Sequence, residues 1–574
     1  MQKDLNKNKN SCASWIVRFL KKRNTKVIFG LQGGHIQPIW DFCYKSGIKI
    51  IDVRDEKAAI HMAQAYSFFT GEVGIAIVTA GPGVTNTVTG MANAYLSNIP
   101  ILLIGGCTPI PQSNMGPLQD IPHTEILRPI TNYARTARVS EQIIREIDLA
   151  YSCAIGQMGS PGPSYIEIPT DVLRENVSEK FIIKEWLADK KNYSIYPDPL
   201  DIELAINSIK CSKKPVVITG RGAIKCEKEI NEFLEKTGII YLDTQESRGL
   251  VSLSHECNVY AARSKVMEET DLVFLIGRKL DYQLAFGSPA IFKKAKFIRL
   301  SDTASELTDN RRGDPEILAD PAIVLKKITK KIGQINFDRK WRKNIINYHN
   351  NQIKKVKNKV TKSYGKDKKI NPILIFDTLE VLFKNRDYVG IADGGDILSF
   401  ARVGLKSKYY LDSGAFGCLG VGVPYSIAAS EIFKDKKVIC VTGDGSFGFN
   451  AMELDTAIRN NSNICIIISN NAAWNIETHD QRLNYGNRVY GTTLRDSNYA
   501  VLAKGLGLFS VRVEKAEKLR SSIELALKNT PSVVDVVTSS NIISSDAKKG
   551  LGLVPKYQAL EVWNNLEEEY RKRK

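Results

Sequence analysis

Two short stretches of this chain carry residue types that could grip a metal-bound diphosphate. An apolar run, Val438 to Thr442, ends in Gly443-Asp444-Gly445-Ser446. A second, Asn463 to Ser469, ends in Asn470-Asn471. Asp444 offers a hard anionic oxygen and Asn471 a neutral one. That suits magnesium, which takes few oxygens from protein and completes its octahedron with phosphate and water. Gly445 and Ser446 put N–H groups at a helix start, where phosphate is favoured. Asp444 and Asn471 could equally be a helix cap and a loop residue, and a motif this short does not separate the two readings.

To act together, these residues need a strand, a turn, a helix and a second strand. Val438 to Thr442 suits a buried parallel strand, and Asn450 to Asn460 carries Met452, Leu454, Ala457 and Ile458 at helical spacing. A right-handed crossover makes both strands point the same way. Asp444 and Asn471 are then expected at the carboxyl edge of one sheet, where open α/β sheets bind ligands.

The string GDGSFGFNAMELDTAIR, followed after the second run by NNAAW, resembles the signature of thiamine diphosphate enzymes. It is similar to the acetolactate synthase-like branch, which includes benzaldehyde lyase and the 2-hydroxyacyl-CoA lyases. The resemblance implies metal ligation by the side chains of Asp444 and Asn471 and the main-chain carbonyl of Ala473. Gly445 and Ser446 would contact the cofactor. Many family members have a glycine two residues further on, where this chain reads Ala473-Trp474-Asn475. Trp474 resembles a tryptophan of benzaldehyde lyase and would also line the cofactor.

The resemblance gives roles to residues that are ambiguous alone. Glu56, in Arg54-Asp55-Glu56-Lys57, could simply complement a helix dipole. The family pattern makes it the carboxyl that bonds the cofactor's aminopyrimidine and turns its exocyclic nitrogen into a local base, acid–base catalysis relayed through the cofactor. Leu419, in Gly417-Cys418-Leu419-Gly420, reads alone as core packing; the resemblance puts it beneath the bent cofactor, with Gly417 beside it. His35 follows Gly33-Gly34 and resembles a loop histidine of benzaldehyde lyase and of the 2-hydroxyacyl-CoA lyases. Gln119 resembles a glutamine that points at the substrate-bound cofactor. By themselves His35 and Gln119 are a structural histidine and a loop amide. Asp396, after Gly394-Gly395, resembles the second diphosphate loop, or is a polar turn. His123 and His479 are weaker candidates. The resemblance spans nearly the whole chain, including the tail near Gly550 to Val554.

The chain of 574 residues is too long for one core and suggests about three domains. Alternating strands and helices predict doubly wound α/β domains with parallel sheets. The expected division is a pyrimidine-binding domain over 1–180, a middle α/β domain over 181–340, a basic linker over 341–370 and a diphosphate-binding domain over 371–574. The first and third units share a strand–helix rhythm that suggests duplication. In the middle unit, Gly220-Arg221-Gly222 does not complete a dinucleotide fingerprint, so FAD or ADP, which some relatives bind there, lacks its usual signal.

Apolar residues make up 43% and charged residues 25%, an ordinary soluble balance. No apolar run is long enough for a membrane span. The start, MQKDLNKNKNSC, is polar, and no signal peptide is expected. Ten cysteines without paired spacing suggest reduced thiols and a cytoplasmic location. The net charge of +18 gathers in Arg339 to Lys369 and in the tail. Without base-reading motifs it reads as a solvated surface rather than a nucleic-acid site.

The resemblance thus implies a thiamine diphosphate- and Mg²⁺-dependent carboligase or lyase. Its substrates would be small carbonyl compounds: 2-keto acids, aldehydes or acyloins, with an acyl-CoA among them. Acetolactate synthase-like carboligation is one reading. His35 and Trp474 fit a 2-hydroxyacyl-CoA lyase or a benzaldehyde lyase-like enzyme better. A non-catalytic nucleotide-binding relative is the remote alternative. Glu56 and Asp444 would meet only between subunits, which implies a homodimer or homotetramer.

Overall fold

The computed structural model describes residues 9–182, 184–188, 193–359, 362–384, 386–544, 547–548 and 554–573. The tail motif at Gly550 to Leu553 therefore lies outside the described residues. The chain forms three α/β domains, each built on a parallel sheet.

The first sheet contains β1 (Val27–Leu31), β2 (Lys49–Asp52), β3 (Gly74–Val78), β4 (Ile101–Cys107), β5 (Tyr133–Thr136) and β6 (Pro163–Pro169), in the order β2-β1-β3-β4-β6-β5. The middle sheet contains β7 (Pro215–Thr219), β8 (Ile240–Leu242), β9 (Leu272–Ile276), β10 (Lys296–Ser301) and β11 (Glu316–Leu318), in the order β11-β10-β9-β7-β8. The third contains β12 (Tyr388–Asp393), β13 (Tyr409–Asp412), β14 (Lys437–Gly443), β15 (Ile464–Asn470), β16 (Phe509–Val513) and β17 (Ser532–Val537), in the order β13-β12-β14-β15-β17-β16. The first and third sheets thus follow the same path, as the shared rhythm suggested. In each, the strand order reverses between the first and third strands of the unit. A crevice opens outside the carboxyl ends at such a point.

Central strands are apolar because helices cover both sheet faces; every residue of β15 is buried. Helix Glu56–Thr70 is Ala-rich and buried on nearly all sides. Its small side chains let it lie between its own sheet and helix Gly422–Ile432 of the third domain, and one continuous apolar cluster joins the two domains. Asn93 Nδ2 donates to the Tyr425 hydroxyl at 3.0 Å across this contact, and Lys49 pairs with Glu431 at 2.7 Å.

One helix differs from the sequence expectation. The stretch expected as one helix over Asn450 to Asn460 is preceded by a separate helix, Asp444–Phe449, and restarts only at Glu453. The break lets Asn450 Nδ2 donate to the carbonyl of Gly420 at 2.6 Å. In the first domain a short helix, Pro82–Thr85, likewise precedes helix Val88–Leu96. The basic stretch begins in helix Arg339–Lys359, whose Trp341 and Ile345 pack into the middle domain's core. Among the described residues, no helix is long and apolar enough to cross a membrane.

Candidate active site

Parallel pairing of β14 with β15 sets Gly443 opposite Ser469. Asp444 and Asn471 are therefore the first residues beyond two neighbouring strands. Asp444 is 2% exposed, and its Oδ2 has no hydrogen-bond partner. Burial pushes its carboxyl up to about 6, while N–H groups of Gly445, Ala472 and Ala473 favour the charged form. A buried carboxylate oxygen without a donor is costly unless a cation meets it. Asn471 Oδ1 accepts the N–H of Ala473 at 3.1 Å. Main-chain bonds pin the loop: Trp474 N–H to Thr492 O, and Leu494 N–H to Ala472 O, both 2.8 Å.

Among the described residues, no cluster of three His, Cys, Asp or Glu side chains could hold a metal ion. A cation at this edge would have to draw on amide and main-chain oxygens beside Asp444, the donor types of Asn471 and Ala473. Gly445 has no room for a side chain, since a Cβ there would lie 2.5 Å from the Trp474 ring. Ser446 is buried. Gly394 has φ +126°, and a Cβ there would lie 3.3 Å from the N–H nitrogen of Gly443 and 3.5 Å from Ser446 Oγ. The loops after β12 and β14 thus approach closely, with the Ile397 side chain packed against both Gly394 and Gly443.

The Asp396 carboxylate is not free to face it. Oδ2 accepts from Asn475 Nδ2 at 3.1 Å, and Oδ1 from the N–H of Ser544 at 2.9 Å. Asp396 braces the loops, leaving main-chain N–H groups for an anion. Asp393, which ends β12, accepts the N–H of Gly422 at 2.9 Å and of Gly420 at 3.3 Å, and burial pushes it up to about 7. Asp393 and Asn450 together hold the loop carrying Gly417 and Leu419. Gly417 is exposed, and Leu419 is half-buried and belongs to none of the described apolar clusters. Sequence reasoning missed this bracing role; the acid at a strand tip facing a glycine-rich loop was the available signal.

The first domain assembles a second group. Glu56 opens its helix, is 5% exposed, and accepts from Asn86 Nδ2 at 2.9 Å. Its Oε1 lies 3.5 Å from where a Cβ on Gly83 would sit. His35 is half-buried, with Nδ1 3.3 Å from Thr79 Oγ1. Burial first, then His123 and Arg174, lower its pKa and favour the neutral ring. Gln119, at φ +65°, packs on Gly81, whose Cβ would lie 2.7 Å from its own. Gly81 donates its N–H to His123 Nε2 at 2.7 Å, and His123 Nδ1 faces Glu167 Oε2 at 2.8 Å. Both nitrogens of His123 are thus used in holding the turn. His479 lies on helix Asn475–Asn484, with burial lowering its pKa. Glu56, His35 and Gln119 gather around Gly81-Pro82-Gly83, while Asp444, Asn471, Ala473, Trp474 and Leu419 line the third sheet's edge. Among the described residues, the Glu56 side chain hydrogen-bonds within its own domain and to no residue of the third.

Three family descriptions match this layout: the N-terminal TPP binding domain of thiamine pyrophosphate enzymes over residues 10–126, their central domain over 202–328 and their C-terminal TPP binding domain over 393–536. The chain belongs to the thiamine pyrophosphate enzymes. It is 29% identical over 533 residues to 2-hydroxyacyl-CoA lyase 2 of Danio rerio, covering 86% of this chain and 85% of that one. It is 28% identical to 2-hydroxyacyl-CoA lyase 1 of Homo sapiens, over 92% and 94% of the two chains. It is also 28% identical to the acetolactate synthase large subunit IlvG of Mycobacterium tuberculosis, over 92% and 95%. This thiamine pyrophosphate enzyme is of the branch that forms or cleaves carbon–carbon bonds.

In the middle domain of this thiamine pyrophosphate enzyme, the glycines after β7 and β9 are accounted for by packing. A Cβ on Gly277 would lie 2.5 Å from the main chain of Gly222, and one on Gly220 would lie 2.5 Å from Arg278 Cδ. Arg278 is fully buried there, bonded to Asp281 at 2.8 Å and Gln283 at 3.0 Å. Gly220 makes room for this buried arginine, and Gly222 and Gly277 make room for each other's main chain.

Proposed function

We propose that this chain binds magnesium thiamine diphosphate between two copies of itself and works on the carbon–carbon bond beside a carbonyl. The buried, unpartnered Oδ2 of Asp444 carries this reading. Asp444, Asn471 and the Ala473 carbonyl would ligate the metal. The N–H groups of Gly445, Ser446 and the Gly394–Asp396 loop would hold the diphosphate. Leu419 and Trp474 would wall the cofactor, and the partner subunit's Glu56 would bond its pyrimidine ring. When bound, the cofactor supplies a carbon nucleophile that adds to a carbonyl and accepts the electron pair of the broken bond. Neutral His35 would take a proton from a substrate hydroxyl and return it, and Gln119 would orient the substrate. The apolar residues around the edge would exclude water and strengthen these polar contacts.

His35 and Trp474 support cleavage of a 2-hydroxyacyl thioester or an acyloin as the first reading, and the relatives named 2-hydroxyacyl-CoA lyase agree with it. Carboligation of 2-keto acids is the second, supported by the acetolactate synthase relative. The experiment supplies holoenzyme with a 2-hydroxyacyl-CoA, an acyloin, pyruvate or benzaldehyde, singly and in pairs, and identifies products by mass spectrometry. Cleavage of either 2-hydroxy substrate supports the first reading, and acetolactate from pyruvate alone replaces it with the second. A cytoplasmic location is part of this proposal; none of the ten cysteines forms a disulfide and eight are buried, which suits a reducing compartment.

A further inference from the structure

Glu453 belongs to helix Glu453–Arg459 of the third domain and is 1% exposed. Its carboxylate reaches out of that domain. Oε1 accepts the N–H of Arg54 at 2.9 Å and of Asp55 at 3.2 Å. Oε2 accepts the Thr456 hydroxyl at 2.7 Å. The two N–H groups belong to the peptides directly ahead of Glu56.

The start of a helix leaves N–H groups without intrahelical partners. Here they are shared between domains. Asp55 caps its own helix by accepting the Lys57 N–H at 2.8 Å. Glu453 takes the N–H of Asp55 and of the residue before it. Arg459 grips the same junction, with Nη1 2.6 Å from Asp52 Oδ1 and Nη2 3.0 Å from the Asp52 carbonyl. These bonds fix the direction in which the chain enters helix Glu56–Thr70. The first side chain of that helix is Glu56.

Burying a carboxylate is unfavourable, and two main-chain donors plus a hydroxyl are what make it tolerable. An apolar residue would fill the space but take this acceptor away from both N–H groups. Glu453 also lies just past helix Asp444–Phe449. One short segment therefore holds both a candidate metal ligand and the brace for the activating carboxyl.

We propose that Glu453 is a positioning residue, which fixes the peptides ahead of Glu56 from the third domain and so sets where the Glu56 carboxylate points. This rests on Glu56 being the activating carboxyl of the proposed function. Misplacing a reacting group by 1 Å can cost on the order of 100-fold in rate.

The test compares wild type with Glu453→Ala, Glu453→Gln and Glu56→Gln. One readout is amide hydrogen exchange at Arg54 and Asp55 in the protein without cofactor. The other is the rate at which bound thiamine diphosphate exchanges its C2 proton in the magnesium-loaded protein, read by NMR after acid quench. Glu453→Ala is expected to speed exchange of both amides by about tenfold or more. It is expected to slow C2 exchange by about 10- to 100-fold while cofactor affinity shifts by less than about threefold. Glutamine keeps a carbonyl oxygen for both N–H groups, and the Thr456 hydroxyl can turn to accept from its amide. Glu453→Gln is therefore expected to restore amide protection and most of the rate.

C2 exchange within about twofold of wild type in Glu453→Ala overturns the inference, and so does equal damage from alanine and glutamine. Normal C2 exchange in Glu56→Gln instead overturns the activating role of Glu56, while the amides still report whether the brace exists. If Glu453→Ala does not fold, Glu453→Asp, which retracts the acceptor by one methylene, is read by the same criteria.

Discussion

Asp444 and Asn471 each follow directly on one of two hydrogen-bonded parallel strands, and Asp444 keeps one buried oxygen without a donor. A magnesium ion coordinated there would satisfy that oxygen. Asp444→Ala is expected to weaken magnesium-dependent binding of thiamine diphosphate by at least about 100-fold, measured by calorimetry with and without Mg²⁺. Unchanged affinity would remove Asp444 from the metal site.

The Trp474 ring sits where a side chain on Gly445 would be. Gly445→Ala must push the indole or the helix start aside. Overpacking of this kind costs about 1–3 kcal/mol. A lower melting temperature and altered tryptophan fluorescence are expected, together with weaker cofactor binding. A variant with wild-type stability and spectrum would show that the indole moves freely.

His35 is half-buried beside Thr79, and burial lowers its pKa. The ring therefore stays neutral to lower pH than a free histidine. His35→Ala is expected to reduce kcat by about 10²- to 10⁴-fold, with cofactor affinity within a few-fold of wild type. Steady-state kinetics beside calorimetry measure the split. Equal activity would leave His35 a structural residue.

Burial raises the Glu453 pKa to about 7, and nearby Asp55 adds to the rise. Its contribution to stability is fully present below the unfolded value near 4.5 and is lost as pH rises through about 7. Glutamine has no charge to bury. Glu453→Gln is therefore expected to gain in melting temperature relative to wild type as pH rises from 5 to 8. A difference that stays constant across this range would show that Glu453 is ionised throughout.

The sheet centres could be read directly from apolar runs, because strands buried on both faces are apolar throughout. Edge strands β5, β11, β13 and β16 were not announced by such runs, whereas β8, also at an edge, lies in the short apolar run Ile239 to Leu242. β11 has only three residues, and four of the five residues of β16 are half-buried, so their patterns are weak. The metal-loop candidates were readable because Asp444 and Asn471 each sit in a local strand–turn signal. The brace on Glu56 was not, because Glu453 and Arg54 are 399 residues apart in the chain. His123 showed the same limit: its partner Glu167 lies on β6, and only the fold reveals that both its nitrogens are engaged.

Complementation tests most directly whether the active site is shared between two copies. Glu56→Gln and Asp444→Ala are each expected to be inactive alone. Co-expressed in equal amounts, half of the dimers would pair the two variants, and each such dimer would contain one intact site. Activity should then return to about a quarter of wild type. A mixed preparation that assembles but stays inactive would contradict a site built from the Glu56 of one copy and the Asp444 of the other.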